Sequence, residues 1–264
     1  MTSNNSAAAI RAVCTVLKSI GADLPKPVAQ AIADLETLTT AVASINPPTA
    51  EDVFDAAADA ILDGRNPFDD ERVRGLTAAR NFSNSGALQE GIKNAGHNRV
   101  AEAMTANADT LVGILKEAVD AAGKDLTAAH AILGDVELGN SETILQMGTK
   151  AAAAWVQAKT AIETIEKVLP GWYWLADLTR FANASIDPSF RLADLDLDTI
   201  EKVGRKANAW AIVKAGGTID LATRTTAKQR PEAYAKALTA RDTANDGAFQ
   251  KAWGRAHGSA PIHV

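Results

Sequence analysis

The chain has 264 residues, of which 47% are hydrophobic and only 5% aromatic, and its formal net charge at pH 7 is −5. This length is sufficient for one large domain or for two ordinary domains with a proper core. The single cysteine, Cys14, excludes an internal disulfide framework, and no segment has the roughly 18 consecutive apolar residues that a membrane-spanning helix requires.

Charge is distributed unevenly along the chain. From Lys202 to Val264, eleven Lys and Arg residues outnumber four Asp and Glu residues, which gives +7, and the remainder of the chain carries −12. Such asymmetry is typical of a basic module that binds nucleic acid or an acidic protein surface. We therefore predict an acidic helical body over residues 1–182, a linker over 183–197 and a basic helical C-terminal region over 198–264.

The first predicted elements are two amphipathic helices. Apolar residues recur at helical spacing over residues 6–20 and again over 28–45, and a proline-containing turn separates the two stretches. A short turn between two helices favours antiparallel neighbours. Residues 1–46 are therefore predicted to form an antiparallel helical hairpin.

A third helix is predicted to begin after Thr49. This threonine is a suitable N-cap, and Glu51 and Asp52 in the first turn would interact favourably with the helix dipole. The predicted buried side of this helix consists of Val53, Phe54, Ala57, Ile61 and Leu62.

Two long helices are predicted, the first over about residues 87–122 and the second over residues 141–169. In both stretches, apolar and small residues recur at steps of three and four. Helices with such matched seams are expected to pack against each other. Gly123 is expected to end the first helix, and Pro170 with Gly171 the second. The packing seam of the second helix and of the aromatic cluster after it is predicted to contain Trp155, Ile162, Ile165, Leu169, Trp172 and Trp174.

The aromatic cluster Trp172-Tyr173-Trp174 is unusual in a chain with so few aromatic residues. We interpret it as a plug at the junction between the long helices, because aromatic side chains fill large volumes. A membrane-interface anchor and a ligand cage are the alternatives.

Helical pieces continue to the C-terminus. Asp198 and Glu201 are predicted to form a capping box for a helix that reaches residue 214. Three further pieces are expected over residues 218–256, the second of them beginning at Pro231. Since no strand pair is predicted, the fold class is all-α: a multi-helix bundle of long and short helices with a smaller basic C-terminal helical region.

The sequence gives no chemical motif that predicts an enzyme. It has no phosphate-binding loop, nucleophile elbow or zinc-protease motif. Asp194, Asp196 and Asp198 match the start of a calcium loop, but Thr199 and Arg205 stand where that loop needs a glycine and an acid. We predict no catalytic residues, no cofactor and no metal site.

The basic C-terminal region is the candidate partner-binding surface. It could bind phosphate backbones through counterion release or an acidic protein surface through complementary charge. That acidic surface would belong to another copy of the chain or to a shell or coat protein, and an ordinary solvated face is the third reading. The candidate partner-binding residues are Lys202, Arg205, Lys206, Arg224, Lys228 and Arg230.

The Ala-, Thr- and Asp-rich helices with short loops, the MTSNNS start and the prominent arginines resemble, over the whole chain, minor structural or assembly proteins of actinobacterial phages. Phage scaffolding proteins often carry a basic C-terminal helical element that binds the coat protein. The basic region that begins at Lys202 is similar to this element. The five tryptophans indicate a packed core and favour a permanent virion component over a scaffold.

The resemblance implies a non-enzymatic structural or assembly protein within an oligomeric particle, synthesised in the cytoplasm and incorporated in a virion. A helical nucleic-acid-binding protein that uses the basic C-terminal region is the alternative function. No membrane partner is expected.

Overall fold

The computed structural model describes residues 3–44, 46–84, 86–182, 187–204 and 207–257. Over these residues the secondary structure is helical, which confirms the predicted all-α class, and the one β feature is an isolated antiparallel bridge between Ala193 and Ile219. The helices of these ranges are α1 (Ser3–Ser19), α2 (Lys26–Ala43), α3 (Ala50–Leu62), α4 (Glu71–Asn84), α5 (Ala87–Ala106), α6 (Ala108–Leu133), α7 (Ser141–Gln146), α8 (Thr149–Thr179), α9 (Pro188–Leu192), α10 (Leu197–Val203), α11 (Ala209–Lys214) and α12 (Thr226–His257).

The helices form two compact units. One consists of the chain up to Ile10 together with Leu24–Asn107, and the other of Arg11–Asp23 together with the chain from Ala108 onward. This division differs from the predicted one, which placed a linker at residues 183–197. Within the described part of that segment, α9 buries Ser189, Arg191 and Leu192. A change in the sign of the charge therefore does not mark a break in the packing.

In the first unit, α2 packs mainly against α5. Gly96 lies at this contact, where an added Cβ would come within 2.6 Å of Leu35 Cδ1, so the two helices approach closely. The predicted antiparallel hairpin over residues 1–46 is corrected accordingly, because the partner of α2 is α5 and α1 from Arg11 onward belongs to the second unit. The buried side chains of α2 and α5 include Val28, Val42, Val100 and Met104.

The third helix begins as predicted. Thr49 Oγ1 accepts a hydrogen bond from the Asp52 backbone N–H at 3.1 Å, and the Asp52 carboxylate accepts one from the Thr49 N–H at 2.7 Å. This reciprocal pair is a capping box that satisfies two free donors at the start of α3. Helix α3 packs against α4 and buries Ala56 and Ala60.

In the second unit, α6 and α8 make the most extensive helix–helix contact among the described residues, which confirms the predicted pairing of the two long seams. The predicted first long helix is divided at Asn107 into α5 and α6, and α6 continues through Gly123 to Leu133. Gly123 does not end the helix as predicted. An added Cβ there would lie 2.5 Å from Ile219 Cβ, so this glycine makes room for Ile219.

Helix α8 also differs from its predicted bounds. Gly148, with a φ of 93°, separates the short α7 from α8, and α8 continues through Pro170 to Thr179. Proline removes one helical hydrogen bond, but the buried Trp172 and Leu175 hold the next turns in the core.

The C-terminal segments are more continuous and more tightly packed than predicted. Helix α10 is capped by Asp196, whose carboxylate accepts from the Thr199 N–H at 2.7 Å, and not by Asp198. Helix α12 is one helix through Pro231, where separate pieces were predicted. Before it, residues 219–222 run beside the end of α9, with the Asp220 N–H donating to Leu192 O at 2.7 Å.

Candidate functional site

The buried face of α8 is rotated by about one position from the predicted seam. Of the six predicted seam residues, Ile165 and Trp172 are buried, at 1% and 0% exposure, whereas Trp155, Ile162, Leu169 and Trp174 are half-buried. Ala154 and Ala161 are buried, whereas the seam was predicted at the neighbouring Trp155 and Ile162. The small alanine side chains allow α6 and α8 to approach closely. The buried residues of α8 are Ala151, Ala154, Ala158, Ala161, Ile165, Val168, Gly171, Trp172, Leu175, Ala176 and Leu178.

The two tryptophans of this seam have different roles. Trp172 donates its Nε1–H to Ala222 O at 2.8 Å and meets Phe181 edge-on at 5.4 Å, so it joins α8 to the segment before α12. Trp155 donates to Leu138 O at 2.9 Å and carries the Lys159 ammonium 4.3 Å from its ring centroid. Trp172 is fully buried and therefore fills space in the core, whereas Tyr173 and Trp174 are half-buried.

The predicted basic surface is only partly available to a partner. Arg205 and Lys206 lie outside the described residues, and Lys202 and Lys228 are exposed. Arg224, half-buried, contacts Asp109 at 3.4 Å. Arg230 is buried at 5% exposure. Its guanidinium pairs with the Asp220 carboxylate and donates to Phe190 O at 3.1 Å.

Several C-terminal charges interact with the acidic body of the same molecule. Lys214 pairs with Glu137, and Asp220 pairs with Lys116. Burial tends to lower the pKa of Lys116, but hydrogen bonds to Asp120 and Asp220 outweigh this effect and hold that pKa above its usual value. The uneven charge of the sequence is thus partly neutralised inside the second unit.

The strongest surface feature of the first unit was missed by the sequence prediction. Phe54, Ile61 and Leu62 were predicted to be buried, yet they are 69%, 61% and 84% exposed. Together with the exposed Ala58 they occupy one side of α3, because their spacing of four, three and one residues is helical. We call these four residues the α3 outer face. Phe68, in the turn after α3, is also 84% exposed.

The misprediction has a physical cause. Helix α3 has two apolar sides, one of alanines and one of large residues, and the alanines Ala56 and Ala60 are the buried ones. Hydrophobic periodicity cannot tell which of two apolar sides faces the core. Acidic residues border the α3 outer face, namely Glu51, Asp55 and Asp59.

Other candidate chemistry was also located. Asp196, from the calcium-like motif, is the cap of α10, and its hydrogen bonds with Thr199 lower the pKa of its carboxyl. Cys14 is half-buried, and burial raises the pKa of its thiol, which disfavours the reactive thiolate. Within the described ranges, no group of three or more His, Cys, Asp and Glu is placed to hold a metal ion.

Among the helices of the described ranges, none combines the length and apolar character that a transmembrane segment needs. Comparison of the chain with family models, with curated proteins and with solved structures finds no match.

Proposed function

We propose that this chain is a non-enzymatic structural or assembly protein of a larger particle, and that the α3 outer face is one of its contact surfaces. The observation that carries the proposal is the exposure of Phe54, Ile61 and Leu62 on one side of one helix. Burial of these apolar side chains at a contact would contribute a favourable free energy of about 25 cal/mol for each Å² removed from water. A clustered apolar surface of this kind is typical of a protein–protein contact.

The resemblance to minor structural and assembly proteins of actinobacterial phages supports a virion as the particle. The basic C-terminal region remains a second contact surface in this proposal, through the exposed Lys202 and Lys228. It carries less of the argument than α3, because Arg224 and Arg230 already have partners in the same molecule.

The proposed partner of the α3 outer face is a second copy of this chain. Helix α3 has four acidic residues and no basic residue, whereas α4 beside it has three arginines and one glutamate. Asp59 of α3 already pairs with Arg72 of α4 in the same copy at 3.3 Å, so the contact between copies uses the other charges of the two helices. A two-fold axis between two such helix pairs can place the acidic α3 of one copy opposite the basic α4 of the other. Such self-complementary contacts are the usual basis of symmetric assembly.

Light scattering of the full chain after size-exclusion chromatography tests this proposal. The native chain is expected to associate in a concentration-dependent manner. The triple variant Phe54→Ser, Ile61→Ser and Leu62→Ser is expected to weaken association by more than about tenfold, because each lost interface anchor costs about 1 kcal/mol or more. Its circular-dichroism spectrum should remain helical, since the replaced side chains lie at the surface.

The matched control replaces three exposed apolar side chains, one each from α7, the turn after it and α8, by the same residue. Leu145→Ser, Met147→Ser and Val156→Ser together remove side chains that are 60%, 45% and 58% exposed, and association should be unchanged. A native chain that stays monomeric at every concentration would contradict the proposal. Salt-sensitive retention of that monomer on DNA would favour the nucleic-acid alternative instead.

A further inference from the structure

The second unit contains a cavity of about 320 Å³, which lies apart from the α3 outer face of the first unit in sequence and in lining residues. Its walls come from α8, α9, the start of α11 and the turn before α7. Cavities of this size are typical of sites for small organic molecules. Apolar side chains form much of the wall, namely Leu138, Ile162, Ile165, Leu169 and Leu192.

Arg191 forms part of the wall of this cavity and is only 4% exposed. Its backbone is held firmly, since Arg191 O accepts from the Ala222 N–H at 2.8 Å. Its guanidinium lies over Tyr173, with Cζ 4.1 Å from the ring centroid. Its Nε and Nη1 are buried, and they have no hydrogen-bond partner among the residues that the structure describes.

A buried cation without a counter-ion is unfavourable, because desolvation is not repaid by an opposite charge. Burial accordingly lowers the pKa of Arg191 to about 10. The nearby Arg230 shows how the same fold satisfies a structural arginine. Arg230 is as deeply buried, at 5% exposure, but it pairs with the Asp220 carboxylate and donates to the carbonyl oxygens of Phe190 and Asp220.

A second donor in the same wall also lacks a partner. Trp210 is 5% exposed, and its Nε1–H has no acceptor within the described ranges. By contrast, Trp155 and Trp172 each donate to a backbone carbonyl. The acidic residues of the wall are Glu137, which pairs with Lys214, and the exposed Glu166.

We propose that this cavity binds a small organic carboxylate with an apolar body. The carboxylate pairs with the guanidinium of Arg191, in the wall that also holds Trp210. The apolar body lies against side chains of α8 such as Ile162 and Leu169. This inference does not depend on the proposed function, because it uses neither the α3 outer face nor the basic residues of the C-terminal region.

Hexanoate is a suitable probe, with hexanol as the uncharged probe of the same chain length. Calorimetric titration of the full chain should show hexanoate binding at millimolar concentrations or below, as expected for so small a ligand. Hexanol should bind at least tenfold more weakly. Arg191→Met should weaken hexanoate binding at least tenfold and leave the binding of hexanol unchanged. Lys124→Met, which removes an exposed cation of α6 in the same unit, should change neither.

Thermal melting separates a ligand-binding arginine from a structural one. Without ligand, Arg191→Met should melt at the same temperature as the native chain or higher, because it removes an uncompensated buried charge. Hexanoate should raise the melting temperature of the native chain only. A lower melting temperature of ligand-free Arg191→Met would identify a structural arginine and overturn the proposal. No hexanoate binding by the native chain, or equal affinity for hexanol, would overturn it as well.

Discussion

Helices α3 and α8 are both rich in alanine and both carry large apolar residues, but they place those residues differently. Helix α8 packs against α6, α7 and α11, and its buried stripe continues from alanines into Ile165, Trp172 and Leu175. Helix α3 packs mainly against α4 and buries only alanines. The alanine side supports close helix packing in both cases. Large side chains are buried only where further elements cover them, and among the described residues the α3 outer face stays exposed.

The largest change in the free energy of unfolding is expected when a large apolar side chain of α8 is truncated to alanine and compared with one of α3. Trp172→Ala should lower the free energy of unfolding by about 3–5 kcal/mol, because it removes a fully buried ring and the hydrogen bond to Ala222 O. Leu62→Ala, at 84% exposure, should change it by no more than about 0.5 kcal/mol. Urea denaturation at a concentration where the chain is monomeric provides both values.

Trp155→Ala serves as the intermediate case. Its ring is half-buried, and its Nε1–H also donates to a carbonyl, so its loss should lie between the other two. Equal losses for Trp155 and Trp172 would mean that the predicted seam, and not the rotated one, describes α8 in solution. A large loss for Leu62→Ala would mean that the α3 outer face is covered within the monomer.

Local rules predicted part of this fold correctly. The all-α class, the Thr49 cap and the pairing of α6 with α8 follow from periodicity and from capping residues, which act over a few positions. The predicted helix ends at Gly123 and Pro170 were wrong, because contacts with distant residues, which local rules do not include, determine the structure at both positions. Gly123 is needed where Ile219, far along the chain, packs against α6, and the helix beyond Pro170 is held by the burial of Trp172.

The candidate sites were harder to predict for the same reason. Counting charges placed Arg230 on a partner-binding surface, but the fold brings it to Asp220 and to backbone carbonyls. Arg191 was given no role, because a single arginine between Phe190 and Leu192 carries no motif. Arg191 is recognisable because its buried Nε and Nη1 have no acceptor among the described residues. This property depends on the folded structure and cannot be seen in the sequence.

A smaller effect should distinguish the inner and outer sides of α6. Gly123→Ala should lower the free energy of unfolding by about 1–3 kcal/mol, since its Cβ would lie 2.5 Å from Ile219 Cβ. Gly113 lies on the same helix with nothing within 4 Å of an added Cβ, so Gly113→Ala should raise stability by about 0.5–1 kcal/mol. Chemical denaturation of both variants measures the two signs. A stabilising Gly123→Ala would show that Ile219 does not pack there.

The smallest expected effect compares the caps of α3 and α10, one in each unit. Hydrogen bonds from the Thr49 backbone N–H and hydroxyl lower the pKa of the Asp52 carboxyl, and hydrogen bonds with Thr199 lower that of Asp196. A lowered folded-state pKa means that the carboxylate form stabilises the fold. This contribution is complete above the unfolded pKa of about 3.9 and is lost as the pH falls through the lower folded value.

Thr49→Ala removes one of the donors to Asp52 and should therefore raise the pKa of Asp52 towards its usual value, while the pKa of Asp196 stays low. Carboxyl-detected NMR titration of the full chain between about pH 2 and pH 6 covers the range in which both groups change charge. With the hydroxyl gone, the Thr49 backbone N–H and the positive charge of Arg72 continue to favour the charged form of Asp52, so the shift of its pKa should be partial. If Asp52 titrates identically in the native chain and in Thr49→Ala, the capping box does not form in solution. If Asp196 moves together with Asp52, the change spreads beyond α3 and is not a property of its cap.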